Sequence, residues 1–181
     1  MPETMLLLQD RLDTPIGELL LLADHEGNLR VIDWTDHEQR MHQLLTRHYG
    51  KDRFTLQNVR NPHGLTHALE SYFSGNLAVI DTLPVRTEGT AFQRKVWNAL
   101  RTIPCGATIS YMELATRIGQ PSAVRAVGLA NGANPIGVVV PCHRVIGANG
   151  SLIGYGGGFH RKSWLLNHES RTKDQPQIAL F

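Results

Sequence analysis

The sequence predicts an α+β chain of two lobes, an N-terminal α/β lobe with a small, mainly antiparallel sheet and a C-terminal lobe that is mostly helical with a helix-turn-helix. Three observations lead there. Apolar strand-like runs broken by turn signals come first, helical periodicity dominates after residue 90, and the charge changes sign between the halves. Residues 1–88 carry 8 Lys/Arg and 13 Asp/Glu, a net of −5, whereas residues 89–170 carry 8 Lys/Arg and 2 Asp/Glu, a net of +6. A basic half beside an acidic one confines attraction for a polyanion to one part of the chain.

In the first lobe, the apolar runs in "MLLLQDRLDTPIGELLLLADHEGNLRVIDW" are separated by Thr14-Pro15-Ile16-Gly17 and His25-Glu26-Gly27-Asn28, the pattern of a meander. "DHEQRMHQLLTRHYG" spaces Met41, Leu44, Leu45 and Tyr49 as a helix and stops at Gly50. "GLTHALESYFSG" repeats the spacing with Leu65, Leu69, Tyr72 and Phe73. Composition turns from acidic to basic near "DTLPVRTEGT", so the lobes are placed at 1–87 and 88–170. The polar, proline-broken residues 171–181 read as a flexible tail.

In the second lobe Thr90 caps "AFQRKVWNALRTI", with Phe92, Val96, Trp97 and Leu100 on one side, and Ser110 caps "YMELATRIG". Pro121 fits the first turn of "PSAVRAVGLANG", and "RIGQPS" between the two helices has the length of a helix-turn-helix. "PIGVVV" reads as a buried strand followed by glycine-rich loops, and "HRKSWLLNHE" as the last amphipathic helix. "SAVRAVGLANGAN" carries one charge, Arg125, among small residues, which suits a narrow or opened groove better than major-groove readout.

With 181 residues the chain is long enough to bury a core without a metal or a disulfide. No apolar stretch approaches the ~20 residues of a membrane span, and two cysteines, Cys105 and Cys142, in different sequence contexts and outside any C-x-x-C pair, suit a reducing cytoplasm. The histidines lack metal-ligand spacing, so no metal is expected. Cys105 in "TIPCGA" reads as structural. Cys142 in "VVVPCHRVIG" differs, because His143 and Arg144 follow at once and would be costly to bury without partners or a task. A free thiol is only about 3% ionised at pH 7, and a nearby imidazole raises that fraction. Successive side chains of an extended strand point to opposite faces. Either the chain bends after Pro141 or a water links the two groups, and Glu169 is an apt carboxylate to fix the tautomer of His143.

The motifs "FQRKVW", "IPCG", "SYMELA", "RAVGLANGANP", "VVVPCHRVIG", "GYGGG" and "RKSWLLNHE", in that order over residues 90–169, resemble the O6-alkylguanine-DNA alkyltransferases of the bacterial constitutive type. The resemblance implies a ribonuclease-H-like first lobe and a winged-helix-like second lobe. It also implies base flipping and a single, irreversible transfer of an alkyl group from O6-alkylguanine, or O4-alkylthymine, in double-stranded DNA to Cys142. No cofactor is required and the protein is expected to act as a monomer. By the same resemblance His143 is the base acting through water, Glu169 orients it, Asn134 braces the neighbouring loops and Tyr111 assists the leaving guanine. Arg125 fills the vacated place in the stack, with Ala126, Asn131 and Gly132 beside it on the DNA-binding helix. Val145, Tyr155, Gly156 and Gly157 fall on the segments around the flipped base. Gly156 stands where some relatives have serine, leaving only backbone donors there. Two other readings compete: a non-catalytic alkylated-DNA-binding protein, and a cysteine hydrolase using Cys142 and His143. The terminal "QIALF", Gln177–Phe181, resembles short peptides that dock on a replication sliding clamp.

Overall fold

The computed structural model describes residues 3–152 and 155–170, so the expected tail and its Gln177–Phe181 motif lie outside the described residues. The chain divides into two compact units. The first takes the residues up to Gly89 together with Pro135–Val139, and the second takes Thr90–Asn134 and the chain from Val140 onward.

The first unit is built on strands β1 (Met5–Thr14), β2 (Gly17–Ala23), β3 (Leu29–Trp34) and β4 (Phe54–Asn58), in the order β3-β2-β1-β4. The register Thr14↔Gly17 leaves Pro15 and Ile16 as a two-residue hairpin loop, and β2 pairs antiparallel with β3 across a bulge at Leu22/Ala23. β4 adds to β1 in parallel. Helices α1 (Glu38–Tyr49) and α2 (Leu65–Phe73) follow the predicted periodicities. Met41 and Leu45 of α1 meet Leu7, Leu20, Leu22 and Val31 of the sheet in one buried cluster.

"PIGVVV" is not a strand. Only Ile136 bridges, to Ile32, and Gly137 N–H donates to the Ile32 carbonyl at 2.9 Å. Val138 has φ +71°, a left-handed conformation costly for a β-branched residue, and Val139 N–H donates to Gly137 O across a three-residue turn. The run therefore folds back on itself. Apolar, β-branched composition predicts burial here correctly and extension wrongly: Val138, Val139 and Val140 are all buried.

The second unit packs α3 (Ala91–Leu100), α4 (Tyr111–Arg117), α5 (Val124–Gly132) and α6 (Phe159–Ser170) with a two-stranded parallel ribbon, β5 (Ile109–Ser110) and β6 (Val145–Ile146). Thr90 accepts from Gln93 N–H while the Gln93 side chain accepts from Thr90 N–H, a reciprocal cap that fixes the start of α3. Ser110 accepts from Glu113 N–H and does the same for α4. The buried Trp97 ties α3 to α5 by donating from its indole to the Ala130 carbonyl at 2.9 Å. Between α4 and α5, Gly119 at φ +77° ends α4, with Gln120 N–H returning to Ala115 O and Gly119 N–H to Thr116 O. Pro121 does not sit in the first turn of α5. A turn occupies 121–122 and the helix begins at Val124, because Ala123 N–H still closes on Gln120 O.

Candidate active site

The site lies within the second unit. Cys142 N–H donates to the Val140 carbonyl at 2.8 Å around Pro141 (φ −83°, ψ 65°), an inverse γ-turn, and Cys142–Arg144 follow as one 3₁₀ turn into β6. The bend expected at Pro141 is present. Because the backbone turns tightly instead of alternating sides, Cys142, His143 and Arg144 are all buried. Asn134 donates from Nδ2 to the Val140 carbonyl at 2.8 Å and braces this turn from the end of α5.

The opposite wall is α6. Lys162, Leu165, Leu166 and Glu169 recur at helical spacing and are all buried, so two charged residues occupy positions of the helix's apolar stripe. Glu169 Oε2 lies 3.0 Å from His143 Nε2. Arg144 donates from Nε to Glu169 Oε1 and from a terminal nitrogen to Oε2, both at 2.9 Å, and from its other terminal nitrogen to the Ile103 carbonyl at 2.7 Å. Lys162 Nζ donates to the Val145 carbonyl at 2.5 Å.

Electrostatics assign the protons. Burial alone would raise the Glu169 carboxyl, but His143 and the Arg144 guanidinium hold it below the usual carboxylate range. An ionised carboxylate only accepts, so His143 Nε2 carries the hydrogen and Nδ1 presents its lone pair. Nδ1 is buried with no hydrogen-bond partner among the described residues. Burial lowers the His143 pKa despite the opposing pull of Glu169, so the ring is neutral at pH 7. Burial also pushes the Lys162 ammonium down to about 8, with Cys142 acting against the shift. Tyr111, half-buried at the start of α4, has its hydroxyl pKa raised by burial and by the proximity of Cys142.

Family models for the ribonuclease-like domain and the DNA-binding domain of 6-O-methylguanine DNA methyltransferase match residues 7–87 and 91–171. A methylated-DNA–protein-cysteine methyltransferase of Shigella flexneri is 53% identical over 163 residues, covering 90% of this chain and 95% of that protein. The chain belongs to the 6-O-methylguanine DNA methyltransferase family. The Mycobacterium tuberculosis O6-methylguanine methyltransferase superposes with a TM-score of 0.75 at 38% identity, over 94% of this chain and 96% of that one. The Mycobacterium tuberculosis OGT in complex with DNA gives 0.72 at 40% identity, over 91% and 93%.

Of the residues singled out in the sequence, the structure brings together Cys142, His143, Glu169, Asn134, Tyr111 and Val145. Arg125 and Ala126 are exposed on α5, and Gly132 is half-buried near its end. Asn131 requires a correction. Expected beside Arg125 on the DNA-binding side, it is 1% exposed and turns inward, its Nδ2 facing the Cys142 carbonyl at 3.4 Å. It lies six residues after Arg125, and 3.6 residues per turn carry it to the far side of the helix. Tyr155, Gly156 and Gly157 form a half-buried turn closed by Gly158 N–H on the Tyr155 carbonyl, leading into α6. Sequence reasoning missed Lys162 and the role of Arg144. The available signal was Lys162 seven residues before Glu169, on the same face as Leu165 and Leu166.

Proposed function

We propose that this chain repairs DNA by moving an alkyl group from O6 of guanine to the sulfur of Cys142, once per molecule. The observation that carries the reading is the neutral, oriented His143, with Nε2–H committed to Glu169 and Nδ1 buried and open. A buried acceptor of that kind calls for a partner, and a water between Nδ1 and the Cys142 thiol supplies it. The thiol proton passes through that water to Nδ1, and the thiolate attacks the alkyl carbon in line. An S–C bond forms as the C–O6 bond breaks, and the electron pair returns to the purine. Tyr111 hydrogen-bonds to the departing guanine, which recovers a proton, so one S–H and one C–O bond become one S–C and one N–H bond. The thioether has no hydrolytic exit, and the molecule is spent.

A base within a duplex cannot reach a buried thiol. Base flipping is therefore part of the proposal, with Arg125 filling the vacated place and the turn at Tyr155–Gly157, with Val145, bordering the extruded base. The net +6 of residues 89–170 supports sequence-neutral phosphate attraction. Asn134 and Asn131 hold the Val140–Cys142 backbone rather than meeting DNA. The protein acts as a monomer in a reducing cytoplasm that keeps Cys142 reduced, and Gln177–Phe181 tethers it to a sliding clamp near replicating DNA. Among the described residues no helix is long and apolar enough to cross a membrane.

Intact mass after incubation with a duplex containing O6-methylguanine tests the reading. A gain of about 14 Da, abolished by Cys142→Ser, is expected for thioether formation. Binding of the lesion duplex without adduct would indicate a lesion-binding protein, and turnover of acyl esters without adduct a hydrolase. Either outcome overturns the proposal.

A further inference from the structure

Helix α5 has two sharply different sides. Val127, Ala130 and Asn131 are buried against the rest of the second unit, whereas Arg125, Ala126 and Leu129 face outward, with Gly128 and Gly132 half-covered between them. Leu129 is 72% exposed, the most exposed of the large apolar residues in the described chain. A single exposed leucine is ordinary in itself. Its position is what distinguishes it. On this outward side alanine and glycine project a methyl group or nothing, so Arg125 and Leu129 are the two side chains of α5 that reach well beyond the backbone. They are four residues apart, one above the other on one face, and separated by about 6 Å along the axis, close to two base steps.

We propose that Leu129 is a second duplex-opening contact, an apolar wedge one helical turn from Arg125 that packs into the minor groove beside the extruded nucleotide. The inference rests on the alkyl-transfer reading given above. Its occupant is duplex DNA, because the unit that presents Leu129 carries the chain's excess of positive charge and the one cation on α5, Arg125, lies on the same face. Proteins that bend or open DNA from the minor groove insert apolar side chains of this kind between base steps. Arg125 replaces the extruded base. Leu129 covers the neighbouring step, whose stacking is weakened once the base has left. Its contribution is apolar, so it is independent of salt, unlike the phosphate contacts.

The test compares wild type, Leu129→Ser and the conservative Leu129→Met on the same O6-methylguanine oligonucleotide as duplex and as single strand. Kd is measured over a range of salt and transfer is followed in a single turnover. The serine variant is expected to weaken duplex binding about tenfold, the equivalent of about 1.4 kcal/mol, and to bind the single strand within about twofold of wild type. The slope of log K against log salt stays unchanged, and Leu129→Met restores most of the duplex affinity. Equal weakening on both substrates, or none on either, overturns the wedge. If wild type itself transfers no alkyl group, the underlying reading fails instead, a distinguishable result.

Discussion

At the scale of single residues, the chemistry follows from which atoms are already committed. Glu169 is shared by His143 and Arg144, and this fixes the imidazole as donor at Nε2 and acceptor at Nδ1. Burial keeps His143 neutral below its ordinary 6.5, so protonation does not silence the base until the pH falls below that value. The single-turnover rate is therefore expected to stay level as pH drops through about 6.5 and to fall only in more acidic solution. His143→Gln should lower it by about 10²–10⁴-fold and remove the acidic limb. A midpoint at or above 6.5 would contradict the burial argument.

Lys162 carries an opposite lesson. Its folded pKa of about 8 lies below the ordinary 10.5, so the unfolded chain holds that proton more tightly between the two values. The penalty for burying the ammonium is complete below pH 8 and is relieved as pH rises toward 10.5. Lys162→Met should raise stability at pH 7 by about 1–3 kcal/mol, since apolar replacement of a buried charge often stabilises. It should also remove the rise in stability between pH 8 and 10 that this lysine gives the wild type, and slow transfer by taking a cation away from Cys142. Urea unfolding at the two pH values checks the first two effects. A variant less stable than wild type at pH 7 would mean that the bond from Nζ to the Val145 carbonyl outweighs desolvation.

At the scale of elements, local chemistry was legible wherever one residue type has one mechanical use. The caps at Thr90 and Ser110 and the stop at Gly50 stand where side-chain acceptors and a flexible residue put them. "PIGVVV" was misread because β-branched apolar residues signal burial and extension together, and here the Val138 turn separates the two. β4 is hard to read from "FTLQN" because its apolar–polar alternation is only two repeats long, and four of its five residues, Leu56 among them, are exposed. The site was legible in part. Cys142 and His143 stood out because burying His143 and Arg144 needs partners, but adjacency could not say that a γ-turn brings them inward. Lys162 was hidden by reading α6 as amphipathic without asking which charges fell on its apolar stripe. The turn itself depends on Asn134. Asn134→Ala removes one of the two donors to the Val140 carbonyl, which keeps the Cys142 N–H, and should cost about 0.5–1.5 kcal/mol, with slower transfer because Cys142 is less well held. Unchanged stability and rate, by urea unfolding and single-turnover assay, would show that the brace is dispensable.

At the scale of the whole molecule, the chain separates tasks by unit. The first unit carries most of the carboxylates, and the second carries the excess of positive charge and every member of the cysteine site. Pro135–Val139 is the exception to a simple division near residue 87, because it leaves the second unit to pair with Ile32 before the chain returns at Val140 to form the site. Cys142 thus comes three residues after Val139, the end of a segment that belongs to the first unit. That continuity of chain was invisible to composition, which saw only an apolar run.

Self-consumption of Cys142 is the property that sets the proposed function apart from turnover catalysis. The direct measurement is quantitative peptide mapping after excess O6-methylguanine duplex is mixed with the protein, counting methyl groups per molecule and locating them. One methyl group per molecule, on the peptide bearing Cys142, with Cys105 unmodified, is the predicted result. Methyl loss from DNA beyond one equivalent, or a methyl group on Cys105, would contradict it.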